Sequence, residues 1–194
     1  HQKYGADLQF FPMKRFLIIL AFFFFSCSNE VPNPASEDIF NNPLDEEEVG
    51  YDLPALTFFP VEVNASAGGI FTVDIFAMGF DNLAGANIRV SFDENRVESS
   101  SVIPGTIFQD TDQDPIFFSE LNAGDGWINI TTSFLGSDSS FVNTSAASIA
   151  QLTFTATTTG ESQVLFGGAE CEMVDPNDEA IEVKGYGEAN IIVD

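Results

Sequence analysis

Cations are scarce in this chain. Six Lys and Arg stand against thirty Asp and Glu, a formal net charge of −24 over 194 residues. Phosphate backbones are bound by clustered Lys and Arg, so nucleic acid is excluded as a partner. An anionic membrane surface repels the chain for the same reason. Histidine occurs once, at His1, and cysteine twice, at Cys27 and Cys171. With no histidine beyond position 1, neither a Ser-His-Asp nor a Cys-His arrangement can be assembled. Zinc sites of the usual His/Cys kind are excluded as well. No glycine-rich phosphate loop precedes a helix, so nucleotide chemistry has no support. Carboxylates are many, but nothing selects a pair at the separation of about 5–10 Å that a glycosidase uses. These absences point away from an enzyme.

Long apolar runs are also lacking, with one exception. Met13-Lys14-Arg15 precedes residues 16–25, which are all apolar, and Ser26-Cys27 follows. Two cations before about ten apolar residues match a secretory signal, and the run falls short of the about 20 residues that cross a bilayer. Phe24-Phe25-Ser26-Cys27 resembles a lipobox, with Phe24 where that family usually has Leu. The resemblance implies cleavage before Cys27 and acylation of Cys27. Several acyl chains on one residue anchor stably where a single chain is marginal. An ordinary signal peptide with an accidental cysteine is the alternative. Residues 1–12 precede Met13 and are read as an upstream extension that is not native, and residues 13–26 as the signal.

Residues 27–52 carry Pro32, Pro34, Pro43 and the run Asp45-Glu46-Glu47-Glu48, with no Lys or Arg. Such a segment has little to bury and extends by self-repulsion, so it reads as an acidic tether. Beyond residue 26 the only cations are Arg89, Arg96 and Lys184, against 29 acids once Asp7 is set aside. Acidity at this level suits a salty environment, where a Debye length of about 10 Å or less screens self-repulsion. If Cys27 carries lipid, Cys171 has no partner and the protein is not held by disulfides. In Ala169-Glu170-Cys171-Glu172-Met173 the alternation predicts that Cys171 shares a buried face with Ala169 and Met173. No cation adjoins Cys171 to lower its pKa, so a reactive thiol is not expected.

Residues 53–194 form one domain, long enough to bury roughly two-thirds of its unfolded surface. Apolar Phe71, Val73, Ile75 and Ala77 alternate with Thr72, Asp74 and Phe76. Ala86, Ile88, Val90 and Phe92 alternate with Asn87, Arg89 and Ser91, and Ile128, Ile130, Thr132 and Phe134 with Trp127, Asn129, Thr131 and Ser133. Leu152, Phe154 and Ala156 alternate with Thr153, Thr155 and Thr157. Period two with β-branched and aromatic enrichment predicts half-buried strands. Gly68-Gly69, Asp81-Asn82, Pro104-Gly105, the stretch Asn122-Ala123-Gly124-Asp125-Gly126 and Asp175-Pro176-Asn177 supply the turns. An all-β sandwich follows. Only residues 145–151 suggest a helix, and residues 153–159 continue them as strand.

Three segments, in this order, carry a family resemblance. Asn82-Leu83-Ala84-Gly85-Ala86-Asn87-Ile88-Arg89-Val90-Ser91-Phe92-Asp93 with Val97-Glu98 is the first. Pro104-Gly105 followed by Asp114-Pro115-Ile116-Phe117-Phe118 and the glycine turn before Trp127 is the second, and Ile149-Ala150-Gln151-Leu152-Thr153-Phe154-Thr155-Ala156 the third. Over roughly residues 56–193 they resemble the cohesin domain. The resemblance implies a nine-stranded jelly-roll β-sandwich that docks dockerins, small calcium-loaded helical modules on secreted enzymes. It places the contact on the sheet of family strands three, five, six and eight. Asn87 matches a position where family members present a polar contact, whereas Gly85 departs from a position that is often polar. Immunoglobulin-like and carbohydrate-binding sandwiches are the competing readings of the same pattern.

The alternation supplies its own candidate face. If Ile128 and Ile130 point inward, Trp127, Asn129 and Thr131 point outward, beside Asn87, Arg89 and Ser91 if the two strands are neighbours. Trp and Arg are enriched at binding hot spots. Trp127 could instead cap the end of the core, or stack on a sugar ring. Separately, Asp110, Asp112 and Asp114, aided by Asp125 or Glu120, form an acidic loop that is a candidate for Ca²⁺. It is not an EF-hand, because Pro115 and Leu121 stand where glycine and an acidic ligand are needed. The expectation is a lipid-anchored cell-envelope protein, at the outer membrane or cell surface, that docks a dockerin-type partner in connection with polysaccharide breakdown. A carbohydrate-binding module and a structural envelope protein are the alternatives.

Overall fold

The four alternating segments read from the sequence all fall on strands. The computed structural model describes residues 51–107, 115–134 and 141–194. In these residues the strands are β1 (Ala55–Phe59), β2 (Glu62–Ala65), β3 (Ile70–Leu83), β4 (Gly85–Phe92), β5 (Val97–Pro104), β6 (Ile116–Asn122) and β7 (Trp127–Ser133). They continue as β8 (Val142–Ala156), β9 (Gly160–Phe166), β10 (Glu172–Val174), β11 (Ala180–Ile181), β12 (Gly185–Tyr186) and β13 (Glu188–Val193). Of these thirteen described segments nine are five residues or longer, and β2, β10, β11 and β12 are short additions at sheet margins.

Two sheets result. The smaller runs β12-β1-β3-β8-β5, and the larger runs β11-β10-β4-β9-β13-β2, with β7 paired to β4 and β6 paired to β7. The helix-like residues 145–151 lie inside β8, which pairs antiparallel with β3 along most of its length. Ser148 and Gln151 there sit opposite Phe76 and Asp74. Cross-strand pairing over fifteen residues outweighs a short local helix tendency.

Inward side chains of both sheets make one core, including Leu56, Phe58, Ile75, Ile88, Val90, Ile128, Ile130, Leu152, Phe154 and Met173. Phe92 of the larger sheet meets Phe154 of the smaller edge to face, with ring centroids 5.5 Å apart. Phe58 stacks on Phe166 at 4.1 Å. These aromatic pairs tie one sheet to the other.

Two expectations from the alternation are corrected. Phe76 falls among the outward positions of β3, yet it is only 6 % exposed. It forms a separate apolar cluster with Met78, Leu53, Phe59 and Ala146. The chain just before β1 supplies Leu53 to that cluster, a tertiary contact that the strand period does not encode. Ala169 is also not buried with Cys171 and Met173: it is exposed, because residues Gly168–Glu170 form a 3-10 turn and the alternation begins only at β10. Met173 is fully buried and Cys171 is partly buried against the core.

Candidate functional site

The strand containing Asn87, Arg89 and Ser91 and the one containing Trp127, Asn129 and Thr131 are direct neighbours. The β4–β7 register sets Asn87 opposite Thr131, Arg89 opposite Asn129 and Ser91 opposite Trp127. Ile88, Val90, Ile128 and Ile130 between them are fully buried, so these six residues share the outer face of the larger sheet. Five are half-buried and Thr131 is exposed.

They also bind one another. Arg89 Nε donates to Asn129 Oδ1 at 2.7 Å, and Thr131 Oγ1 donates to Asn87 Oδ1 at 3.1 Å. The Arg89 guanidinium carbon lies 4.0 Å from the centroid of the Trp127 ring. Trp127 therefore does not cap the core. Its indole is the platform for a cation.

On the far side of β7, strand β6 extends the face. Phe118 is opposite Thr131, Glu120 opposite Asn129 and Asn122 opposite Trp127. Phe118 is 61 % exposed and Ile116 44 %. On the other side of β4, Glu172 is opposite Asn87 and Leu165 opposite Ser91. Among the described strands of this sheet Arg89 is the single cation, whereas Glu120, Glu172, Glu161, Glu188 and Glu62 are exposed carboxylates. The sequence reading missed Ile116 and Phe118. Ile116-Phe117-Phe118 is apolar on both faces, so period two could not say which side was open.

Gly85, where the resemblance implies a polar residue, is buried. A Cβ there would stand 2.9 Å from Val174 Cγ2 and 3.2 Å from Ser133 Oγ. Val174 of β10 thus covers the spot a polar side chain would need. Cys171 Sγ donates to the Arg89 carbonyl at 3.6 Å. Burial pushes its pKa up. A thiol so held is a poor nucleophile.

Asp110, Asp112 and Asp114 lie outside the described residues. Asp125 lies in the β6–β7 turn, where its carboxylate accepts from Asn122 Nδ2 at 2.8 Å. Among the described residues no three metal-ligating side chains come together. Cys27 also lies outside them.

The fold and this face define a two-sheet sandwich module with a broad outer surface on its larger sheet. The cohesin domain family model matches residues 56–184, and the chain belongs to that family. Solved structures agree in fold. A non-cellulosomal cohesin from the archaeon Archaeoglobus fulgidus matches with a TM-score of 0.58 and 16% identity, over 72% of this chain and 91% of that one. A type II cohesin domain from the cellulosome of Acetivibrio cellulolyticus gives 0.59 and 16%, over 71% and 94%. A type I cohesin–dockerin complex from Clostridium thermocellum gives 0.57 and 19%, over 74% and 96%. No match is found among curated proteins.

Proposed function

We propose that this chain is a non-catalytic docking receptor whose β6-β7-β4-β9 face receives a dockerin-type module. One observation carries the reading: the registers of four adjacent strands bring a fixed guanidinium, an indole, the amides of Asn87, Asn122 and Asn129 and the exposed apolar side chains of Ile116, Phe118 and Leu165 onto one surface. Arg and aromatic anchors beside apolar area are what protein interfaces use. Membership of the cohesin family and the Clostridium thermocellum complex with a dockerin support the same assignment. Asn87 stands on this face, at the position where the resemblance implies a polar contact. Closure of the Gly85 position by Val174 argues for a partner differing in detail from those that contact a polar residue there.

The same proposal puts the module at the cell envelope, anchored by acylated Cys27 and held off the membrane by residues 28–52. A partner that bears a dockerin beside a polysaccharide-degrading enzyme would make this an attachment point for polysaccharide breakdown. Ca²⁺ would then be needed by the partner's loops rather than by this chain.

An affinity capture tests the docking reading. The immobilised chain is exposed to the secreted proteins of its own organism, with Ca²⁺ and then with chelator. Retention of a dockerin-bearing protein only with Ca²⁺ is the expected result. Recovery of none, from a fraction shown to contain dockerins, would sink it.

A further inference from the structure

Strand β4 changes partner partway along one edge. β10 pairs with it at Gly85–Asn87 and β9 at Val90–Phe92. The chain passes between the two through Gly167 and the turn Gly168–Glu170. The Arg89 carbonyl in the gap accepts from the Gly167 N–H at 2.8 Å. Gly167 is closely walled: a Cβ there would stand 2.7 Å from Glu170 Oε2 and 2.8 Å from Arg89 Cγ. What remains is a notch of about 460 Å³ lined by Asn87, Arg89, Asn129, Glu170, Cys171 and Glu172. That volume falls within the roughly 300–1,000 Å³ of small-ligand sites.

The hydrogen-bond inventory decides what fits. Arg is a donor only, so its bond to Asn129 fixes the Asn129 oxygen toward Arg89 and leaves the Asn129 NH₂ as donor. The Asn87 oxygen is likewise engaged by Thr131. The residues that line the notch thus bring donors with Arg89, Asn129 and Asn87, and acceptors with the carboxylates of Glu170 and Glu172. An anion meets two glutamates, and a cation meets a guanidinium and two amide donors. A neutral molecule with adjacent hydroxyls, each both donor and acceptor, satisfies both sets.

We propose that this notch is a binding site for a neutral sugar ring, recognised by hydrogen bonds to Arg89, Asn129 and Glu172 rather than by stacking. The guanidinium already occupies one face of the Trp127 indole. Because Asn87, Arg89 and Asn129 also belong to the docking face, sugar and protein partner would exclude one another. The sugar site itself stands whether or not a dockerin binds.

Trp127 is the only tryptophan in the chain, so its emission reports on the guanidinium above it. The full chain, in a detergent without a sugar headgroup, is titrated with glucose, galactose, mannose and xylose, and with acetate and methylammonium as charged probes. A saturable emission change at millimolar concentration is expected with at least one sugar and with neither ion. Arg89→Lys keeps the charge but loses the planar fork, and Glu172→Gln alters an exposed acceptor without touching the core. Each is expected to weaken the sugar about tenfold, the usual effect of losing one hydrogen bond to a charged group. No response to any sugar, an equal response to acetate or methylammonium, or native affinity in either variant would overturn the proposal.

Discussion

Arg89 and Trp127 stand diagonally across β4 and β7, and the guanidinium carbon is 4.0 Å from the indole centroid. Asn129, directly opposite Arg89, holds the guanidinium from the side at 2.7 Å. The cation is thus preorganised before any partner arrives, which lowers the entropy lost on binding. Arg89→Ala is expected to cost about 1 kcal/mol or less in stability, the value of a solvent-accessible cation–π pair. It should change Trp127 emission and weaken the captured partner by tenfold or more, as loss of a hot-spot arginine does. Unchanged partner affinity in isothermal titration would remove Arg89 from the interface.

Phe118 is expected to separate docking from folding. At 61 % exposure it contributes little to the core, so Phe118→Ala should leave the unfolding free energy from urea titration within about 0.5 kcal/mol of native. Partner affinity should nevertheless fall about tenfold or more. Phe154→Ala is the contrast. Phe154 is fully buried between Phe71 and Phe92, and its loss should cost about 3–5 kcal/mol, a large share of the about 5–15 kcal/mol that holds a domain folded.

Asp74, on the outer side of the smaller sheet, predicts a pH dependence. Burial raises its pKa above the ordinary 3.8, against the opposing hydrogen bonds from Gln151 and Ser148. The folded chain thus holds this proton more tightly than the unfolded chain. Its contribution is fully present below 3.8 and is lost as pH rises through the higher folded value. Asp74→Asn removes that loss, so its urea midpoint relative to native should improve between about pH 3 and about pH 7. A difference that is flat over this range, or that worsens with rising pH, contradicts the assignment.

Gly126 sets the turn that delivers Trp127. Its φ is +65°, and a Cβ there would stand 2.3 Å from the Phe92 carbonyl oxygen, a backbone atom. Gly126→Ala should cost about 1–3 kcal/mol from left-handed strain, with more from the clash. Thermal unfolding measures the cost, and altered Trp127 emission would report a displaced turn.

Much of the candidate face was legible in residues 85–92 and 127–134, because one face of each strand is buried and the period of two then fixes the other. The open side of β6 was not legible, since Phe117 and Phe118 are equally apolar and only the pairing with β7 puts Phe118 on the outer face and Phe117 on the core. The notch was hidden for a similar reason. It exists because β9 and β10 share one edge of β4 and a turn bulges between them, and the run from Ala169 to Met173 reads as uninterrupted alternation.

The sequence by itself determined that this is an all-β domain, which side of β4 and β7 faces out, and which chemistries its composition rules out. Those properties are local: alternation selects a face, and missing residue types cannot be supplied by folding. The tertiary structure decided who stands beside whom. Arg89 and Asn129 are 40 residues apart in the chain and 2.7 Å apart in the fold, and Phe76 is covered by Leu53 from before the first strand. Such contacts depend on strand order and register, which backbone hydrogen bonding across the whole sandwich sets and no short stretch of sequence contains.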